Sequence, residues 1–177
     1  MSEDEYYGML AEITSKCPSV IIHYPEQMHM LSMAKKEAPV RVCSWVYNSN
    51  TAKQHRDVAF YGVKPDFRRV KQPYKNPNDK RIRKRIQEGK GARLYDWWNV
   101  NQVKNVSKSD NTHPCVMPID VMKNIVGVLP DNIGVIDPFM GSGTTCVACK
   151  MLGIPYIGYE LVDEYYEIAK RRLLSAE

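Results

Sequence analysis

The stretch Val135–Thr145, VIDPFMGSGTT, leaves few folds open to this chain. An apolar run ends in an acidic residue, a Gly-Ser-Gly turn follows, and two threonines open a segment of helical character from Gly143 to Leu152. Glycines at such a turn let the backbone reverse tightly and let a ligand come close to it. Thr144 and Thr145 stand at a helix start, where unbonded N–H groups and the positive dipole end can receive a carboxylate. On either side the pattern alternates. Pro118–Val128 predicts a helix, Gly134–Asp137 a strand, Ile154–Gly158 a second strand and Val162–Leu174 a final helix. That rhythm predicts parallel strands with right-handed crossovers, an α/β fold that binds ligands at the carboxyl ends of its strands. The turn is not a phosphate loop, since it lacks the GxxxxGK[ST] lysine, and it is not GxGxxG either. Glu160, at the end of the next strand, stands where a ribose-binding acid is expected; a solvated strand-end charge is the plain alternative.

The first half reads less regularly. Ser2 and Glu5 form a capping box for a helix over 2–16, which Cys17-Pro18 ends. Ser19–Tyr24 has strand length, Glu26–Lys36 is a plausible helix, and Val40–Tyr47 and Val58–Tyr61 read as neighbouring strands. Beyond Lys64 the character changes. Residues 64–93 hold twelve Lys or Arg against three Asp or Glu, while the rest of the chain holds thirteen against seventeen. Positive charge concentrated in this way is expected where one part of a surface meets a polyanion. Within it, Asp79–Glu88 predicts a short, very basic helix stopped by Gly89.

The 177 residues suit one domain. The apolar runs are too short to span a bilayer, and the start, Ser2-Glu3-Asp4-Glu5, is acidic where a signal peptide is basic. An intracellular protein is therefore expected. The five cysteines are read as free thiols, and Cys146-Val-Ala-Cys149 as two small residues on one helix face rather than half of a zinc site.

These residues closely resemble the β-arrangement N6-adenine and N4-cytosine DNA methyltransferases. The family's DPFxGSGTT motif stands at Asp137–Thr145, and its HPxxxP signature at His113-Pro114-Cys115-Val116-Met117-Pro118. Its IGxE strand is Ile157-Gly158-Tyr159-Glu160, and the Y..IA..R helix follows from Tyr166. The resemblance implies a Rossmann-like S-adenosylmethionine-dependent methyltransferase fold with circularly permuted motif order. It also implies a cofactor pocket of His113, Pro114, Asp137, Pro138, Phe139, Gly141, Ser142, Gly143, Thr144 and Glu160. Asp137 and the turn would face the methionine part, and Glu160 the ribose. The basic insert, taken as 64–95 in a single domain of 1–177, would contact double-stranded DNA through Arg68, Arg69, Lys80, Arg81, Arg83, Lys84 and Arg85. Trp97 and Trp98 are divided evenly between core packing and a place beside the cofactor.

One family element is missing. Members accept hydrogen bonds from the weakly nucleophilic target amine with [DNS]PP[YFW], whose aromatic ring stacks on the flipped base. None of the eleven prolines here is adjacent to another, and His23-Tyr24-Pro25-Glu26 and Gln72-Pro73-Tyr74 are only distant imitations. The chain resembles a member that begins after the catalytic strand, so the sheet is expected to lack that strand and to leave an open edge. Two functions remain. The first is a DNA amino-methyltransferase, adenine N6 ahead of cytosine N4, incomplete alone and completed by a second polypeptide or a homodimer. The second is a non-catalytic DNA-binding or regulatory remnant. Either would work in the cytoplasm of a bacterial or phage-infected cell, in restriction-modification or in a phage, without a membrane.

Overall fold

The computed structural model describes residues 2–103 and 115–176. Helix α1 spans Glu3–Ile13. Its capping box is formed: Ser2 Oγ accepts from the Glu5 N–H at 3.2 Å, and the Glu5 carboxylate accepts from the Ser2 N–H at 2.7 Å. Strand β1, Ser19–His23, is followed by a 3-10 turn at Pro25–Gln27 and helix α2, Met28–Lys35. Proline suits that turn because the first helical N–H has no partner to lose. Strands β2, Arg41–Val46, and β3, His55–Tyr61, form a hairpin. Three short strands were not expected from the sequence: β4, Lys71–Gln72, β5, Ala92–Arg93, and β6, Trp97–Asn99. Between β4 and β5 lies α3, Arg83–Gln87, shorter than the helix expected over 79–88. The Asp79 carboxylate accepts from the Arg81 N–H and guanidinium, holding the residues before α3 in a turn. The rest follows the expected alternation: α4 Ile119–Gly127, β7 Val135–Asp137, α5 Thr144–Met151, β8 Tyr156–Gly158 and α6 Asp163–Ser175.

The strands divide into two sheets that matter for the site. One has the order β1-β3-β2-β6, with β3 antiparallel to β1 and β2, and β6 parallel to β2. The other is the parallel pair β7-β8. Along β3 the side chains alternate as pleating requires. Val58 and Phe60 enter a core with Trp45, Trp98, Val121 and Cys149, while Ala59 and Tyr61 pack against Tyr7 and Leu31 of α1 and α2. Val20 and Ile22 of β1 join the first of these cores, and so do Val135 of β7 and Tyr156 of β8. The layer of α4 and α5 thus lies under both sheets.

Between β1 and β7, among the described residues, no strand pairing joins the two sheets. The opposite face of β7-β8 is also bare. Ile136 and Ile157, register partners, are 63% and 52% exposed. Covering each would add about 1–2 kcal/mol of hydrophobic stabilisation. Two edges and a bare apolar face are an unusual arrangement for strands of an α/β fold, which are normally covered on both sides.

The ends of the strands are fixed relative to one another. The Asp66 N–H, just past β3, donates to Val128 O at 2.8 Å, and Arg69 pairs with Asp131 at 2.7 Å. Both contacts tie the end of β3 to the chain leading into β7. The strands β7 and β8 therefore start where β3 finishes, and they end on the side where β1 and β2 end. No described helix is long and apolar enough to cross a membrane.

Candidate functional site

At the carboxyl end of β7 the chain makes the turn that the sequence singled out. Gly141 and Gly143 adopt φ of +54° and +76°, the left-handed region. The Gly143 N–H closes the turn on Met140 O at 2.7 Å; just past β8, Tyr159 O accepts from the Met140 N–H and the Tyr159 N–H donates to Asp137 O, both at 2.9 Å. Close packing leaves no room for larger residues: a Cβ on Gly143 would sit 2.8 Å from Ala169 Cβ, and one on Gly158 would run into the Met140 and Cys146 sulfurs. Asp137 Oδ1 accepts from the Phe139 N–H at 3.1 Å. Glu160 is a brace rather than a loose strand-end charge. One carboxylate oxygen accepts from the Gly141 N–H and the other from the Val162 N–H, both at 2.9 Å. Each oxygen keeps a second lone pair for a ligand hydroxyl.

The turn delivers the chain into α5, whose N-terminus has no side-chain cap. The Val147 N–H is the first to reach back, to Gly143 O at 2.9 Å, so the amides of Thr144, Thr145 and Cys146 have no carbonyl one turn behind them. Ser142 and Thr144 hydroxyls are buried beside them. Such an N-terminus can hold an anionic group. Pro138 and Phe139 lie exposed at the rim. Cys146 and Cys149 face inward, and burial pushes their thiols up to about 11 and about 12, which opposes the thiolate form a metal needs. His113 and Pro114 lie outside the described residues; Pro118, the last residue of their signature, is the N-cap of α4.

A second cluster lies at the same end of the molecule and has no contiguous signal in the sequence. The Tyr24 ring, just past β1, is flanked by Lys53 Nζ at 4.2 Å and the Arg56 guanidinium at 4.9 Å. Arg56 also lies over Trp45, at 5.7 Å, and donates to the Tyr24 hydroxyl at 3.3 Å. Lys53 pairs with Glu26. A cavity of about 440 Å³ opens between Tyr24, Tyr47, Ser49, Lys53 and Gln102. Antiparallel pairing of β3 with β1 and β2 assembles these residues. The His23 N–H at Nδ1 donates to Tyr24 O at 2.8 Å, and its buried Nε2 has no partner among the described residues.

The basic segment is less uniformly free than its composition suggests. Arg68 pairs with Asp66, Arg69 with Asp131 and Arg81 with Asp79. Arg68 and Arg81 hold their partners' carboxyls down to about 2. Lys80, Arg83, Lys84 and Arg85 are exposed, and Arg85 donates to the Tyr74 hydroxyl at 2.8 Å. Lys75 lies over the rings of Tyr95 and Trp97, at 4.9 and 5.3 Å. Trp98 is core and Trp97 is half-exposed, so the pair is split by strand alternation. The segment is rooted at the end of β3, away from the Gly-Ser-Gly turn. A larger cavity of about 1200 Å³, lined by Arg69, Gln72, Asn124, Gly134 and Pro155, lies at that far end as well.

A family profile described as DNA methylase matches residues 7–171. Type II methyltransferase M2.LlaDCHI of Lactococcus lactis subsp. cremoris is 37% identical over 84 residues, 47% of this chain and 31% of that protein. Among solved structures, the M1.HpyAVI-SAM complex superposes with a TM-score of 0.63 at 22% identity, covering 96% of this chain and 81% of that one. PvuII DNA methyltransferase, described as cytosine-N4-specific, gives 0.69 at 11% identity, covering 97% and 71%. The matched spans make up 31%, 38% and 39% of three curated relatives, so the chain covers well under half of their length.

Proposed function

The chain belongs to the N6/N4 DNA methylase family, and from that membership we propose that it carries the S-adenosylmethionine-binding part of a DNA amino-methyltransferase. The observation that carries this reading is the turn at Gly141–Thr144, with two glycines at positive φ, a carboxylate brace from Glu160 and an uncapped helix start. The residues present fit the cofactor. Backbone amides and the Ser142 and Thr144 hydroxyls suit its carboxylate, and Asp137 and Glu160 supply acceptors for its ammonium and ribose hydroxyls. Bound there, the cofactor supplies an electrophilic methyl group.

The acceptor side of the reaction is assigned to a strand that would fill the space between β1 and β7, from further sequence or a second polypeptide. Among the described residues, the unpaired edges, the bare Ile136–Ile157 face and the unpartnered His23 Nε2 support that assignment. The target is an exocyclic amine of DNA, adenine N6 in preference to cytosine N4, and the setting a bacterial or phage cytoplasm. Labelled methyl transfer to double-stranded DNA tests the proposal. The chain alone is expected to give none, and the chain mixed with a polypeptide ending a strand in DPPY is expected to give methylated adenine. Transfer by the chain alone would refute the missing strand. DNA binding without transfer in either mixture would instead favour a non-catalytic binder.

We assign the basic insert, 64–95, to phosphate contact, with Arg83, Lys84 and Arg85 ahead of the aspartate-paired Arg68, Arg69 and Arg81. Replacing all three with glutamine is expected to weaken DNA binding alike for all sequences. The slope of log K against log salt should become shallower by about 2–3, near 0.9 per lost contact. An unchanged slope would make the segment an ordinary solvated surface.

A further inference from the structure

Helix α6 lies directly behind the turn, as the tight approach of Ala169 to Gly143 shows. One turn further along, Arg172 directs its guanidinium into it. Nη1 donates to Ser142 O at 2.6 Å, to Ser142 Oγ at 2.8 Å and to Thr144 Oγ1 at 3.0 Å. Among the described residues no carboxylate lies within 4 Å of this group, although the other arginines near the molecule's aspartates are paired. Burial lowers its pKa. A half-buried cation without a counter-ion among the described residues is costly, and here it stands beside the positive end of α5, which raises the cost. The molecule tolerates two positive features at one place, and an anion arriving there would relieve both.

The hydrogen-bond directions add a second point. A hydroxyl oxygen that accepts from a guanidinium turns its own proton elsewhere and becomes a stronger donor. Ser142 and Thr144 are 3% and 4% exposed, so few directions are open to those protons. Asp137 stands before the turn and Glu160 is bonded across it at Gly141, so carboxylates occupy the opposite rim.

We infer that Arg172 is a positioning residue for the amino-acid end of the bound cofactor: it sets the Ser142 and Thr144 hydroxyls as donors and supplies the positive charge that selects a carboxylate. This rests on the cofactor reading above. It separates from a staple that only holds the fold, because its effect depends on whether the ligand carries a carboxylate.

The test is calorimetric titration of the full chain with S-adenosylhomocysteine and with 5′-methylthioadenosine, which keeps the adenosine and the sulfur but has no amino acid. Arg172→Met is expected to lower affinity for the first on the order of 10- to 100-fold, as for loss of a charge-assisted bond network. Affinity for the second should stay within about twofold of wild type. Arg172→Lys, which keeps the charge but not the fork, should fall between on the first ligand and leave the second unchanged. It also carries the test should the methionine variant not fold. Equal losses on both ligands, or none on either, would overturn the inference while leaving the cofactor reading intact. A wild-type chain that binds neither ligand would overturn both.

Discussion

Gly141→Val is expected to cut S-adenosylmethionine affinity by roughly 30- to 150-fold. At φ +54° a residue with a Cβ costs about 1–2 kcal/mol, and a β-branched one more. The turn can relieve that strain only by moving the N–H that Glu160 accepts at 2.9 Å, which releases the brace as well. A combined loss of about 2–3 kcal/mol corresponds to roughly 30- to 150-fold in affinity. Gly153→Val is the matched control. It also sits at positive φ, +67°, with open space around it, but at the far end of α5. It should lower stability without touching affinity. Asp137→Ala should weaken binding in the same direction as Gly141→Val by removing the acceptor that holds the Phe139 amide. Calorimetry showing wild-type affinity in the Gly141 variant would remove the turn from the site.

Trp45→Ala should have the largest effect on stability. The indole is 1% exposed, lies 5.0 Å from the Tyr47 ring and donates to Val100 O at 2.6 Å. Truncating such a residue costs about 3–5 kcal/mol, a large part of the 5–15 kcal/mol that holds a typical domain. For a chain of this size that lowers Tm by roughly 6–20 °C. Trp45→Phe separates packing from hydrogen bonding, since it keeps a ring and leaves the Val100 carbonyl without its donor, at about 1–3 kcal/mol. Circular-dichroism melting reads both; a shift under about 2 °C for the alanine variant would mean that the β2–β6 core carries little of the stability.

Residues 118–174 were legible because the helices there are long enough to show their period, and the three-residue strands β7 and β8 stand between them with Gly or Pro at their ends. The short strands β4, β5 and β6 were not, because two or three residues have no period, no alternation of helices frames them, and they exist only through pairing with distant parts of the same chain. Trp97 and Trp98 illustrate this: identical in sequence, they diverge to 47% and 3% exposure once a strand alternates them. The turn could be read from its glycines, and Glu160 from its place at a strand end, but not the bonds by which Glu160 grips the turn. Arg172 sits in Lys170-Arg171-Arg172, which reads as one solvated basic face, and only the approach of α6 separates it from its neighbours. Arg56 and Tyr24, 32 residues apart, meet through antiparallel register, which no local pattern encodes. In the basic insert composition was a fair guide to net charge and a poor one to which charges are free.

The parallel pairing of β6 with β2 has a consequence for the order in which the molecule assembles. Its contacts join residues some 55 positions apart, as in the bond from Trp45 to Val100, with the whole basic segment looped out between them. Loop closure of that span costs entropy before any packing rewards it, so this ladder forms late. The β7–α5–β8–α6 end is built from sequence neighbours and can form quickly by itself. On a ribosome the antiparallel strands emerge before residues 97–99 and must wait for them, exposing the β2 edge meanwhile. The segment made after β6 is thus able to take its final shape at once, while β2, made before it, is locked only when β6 arrives.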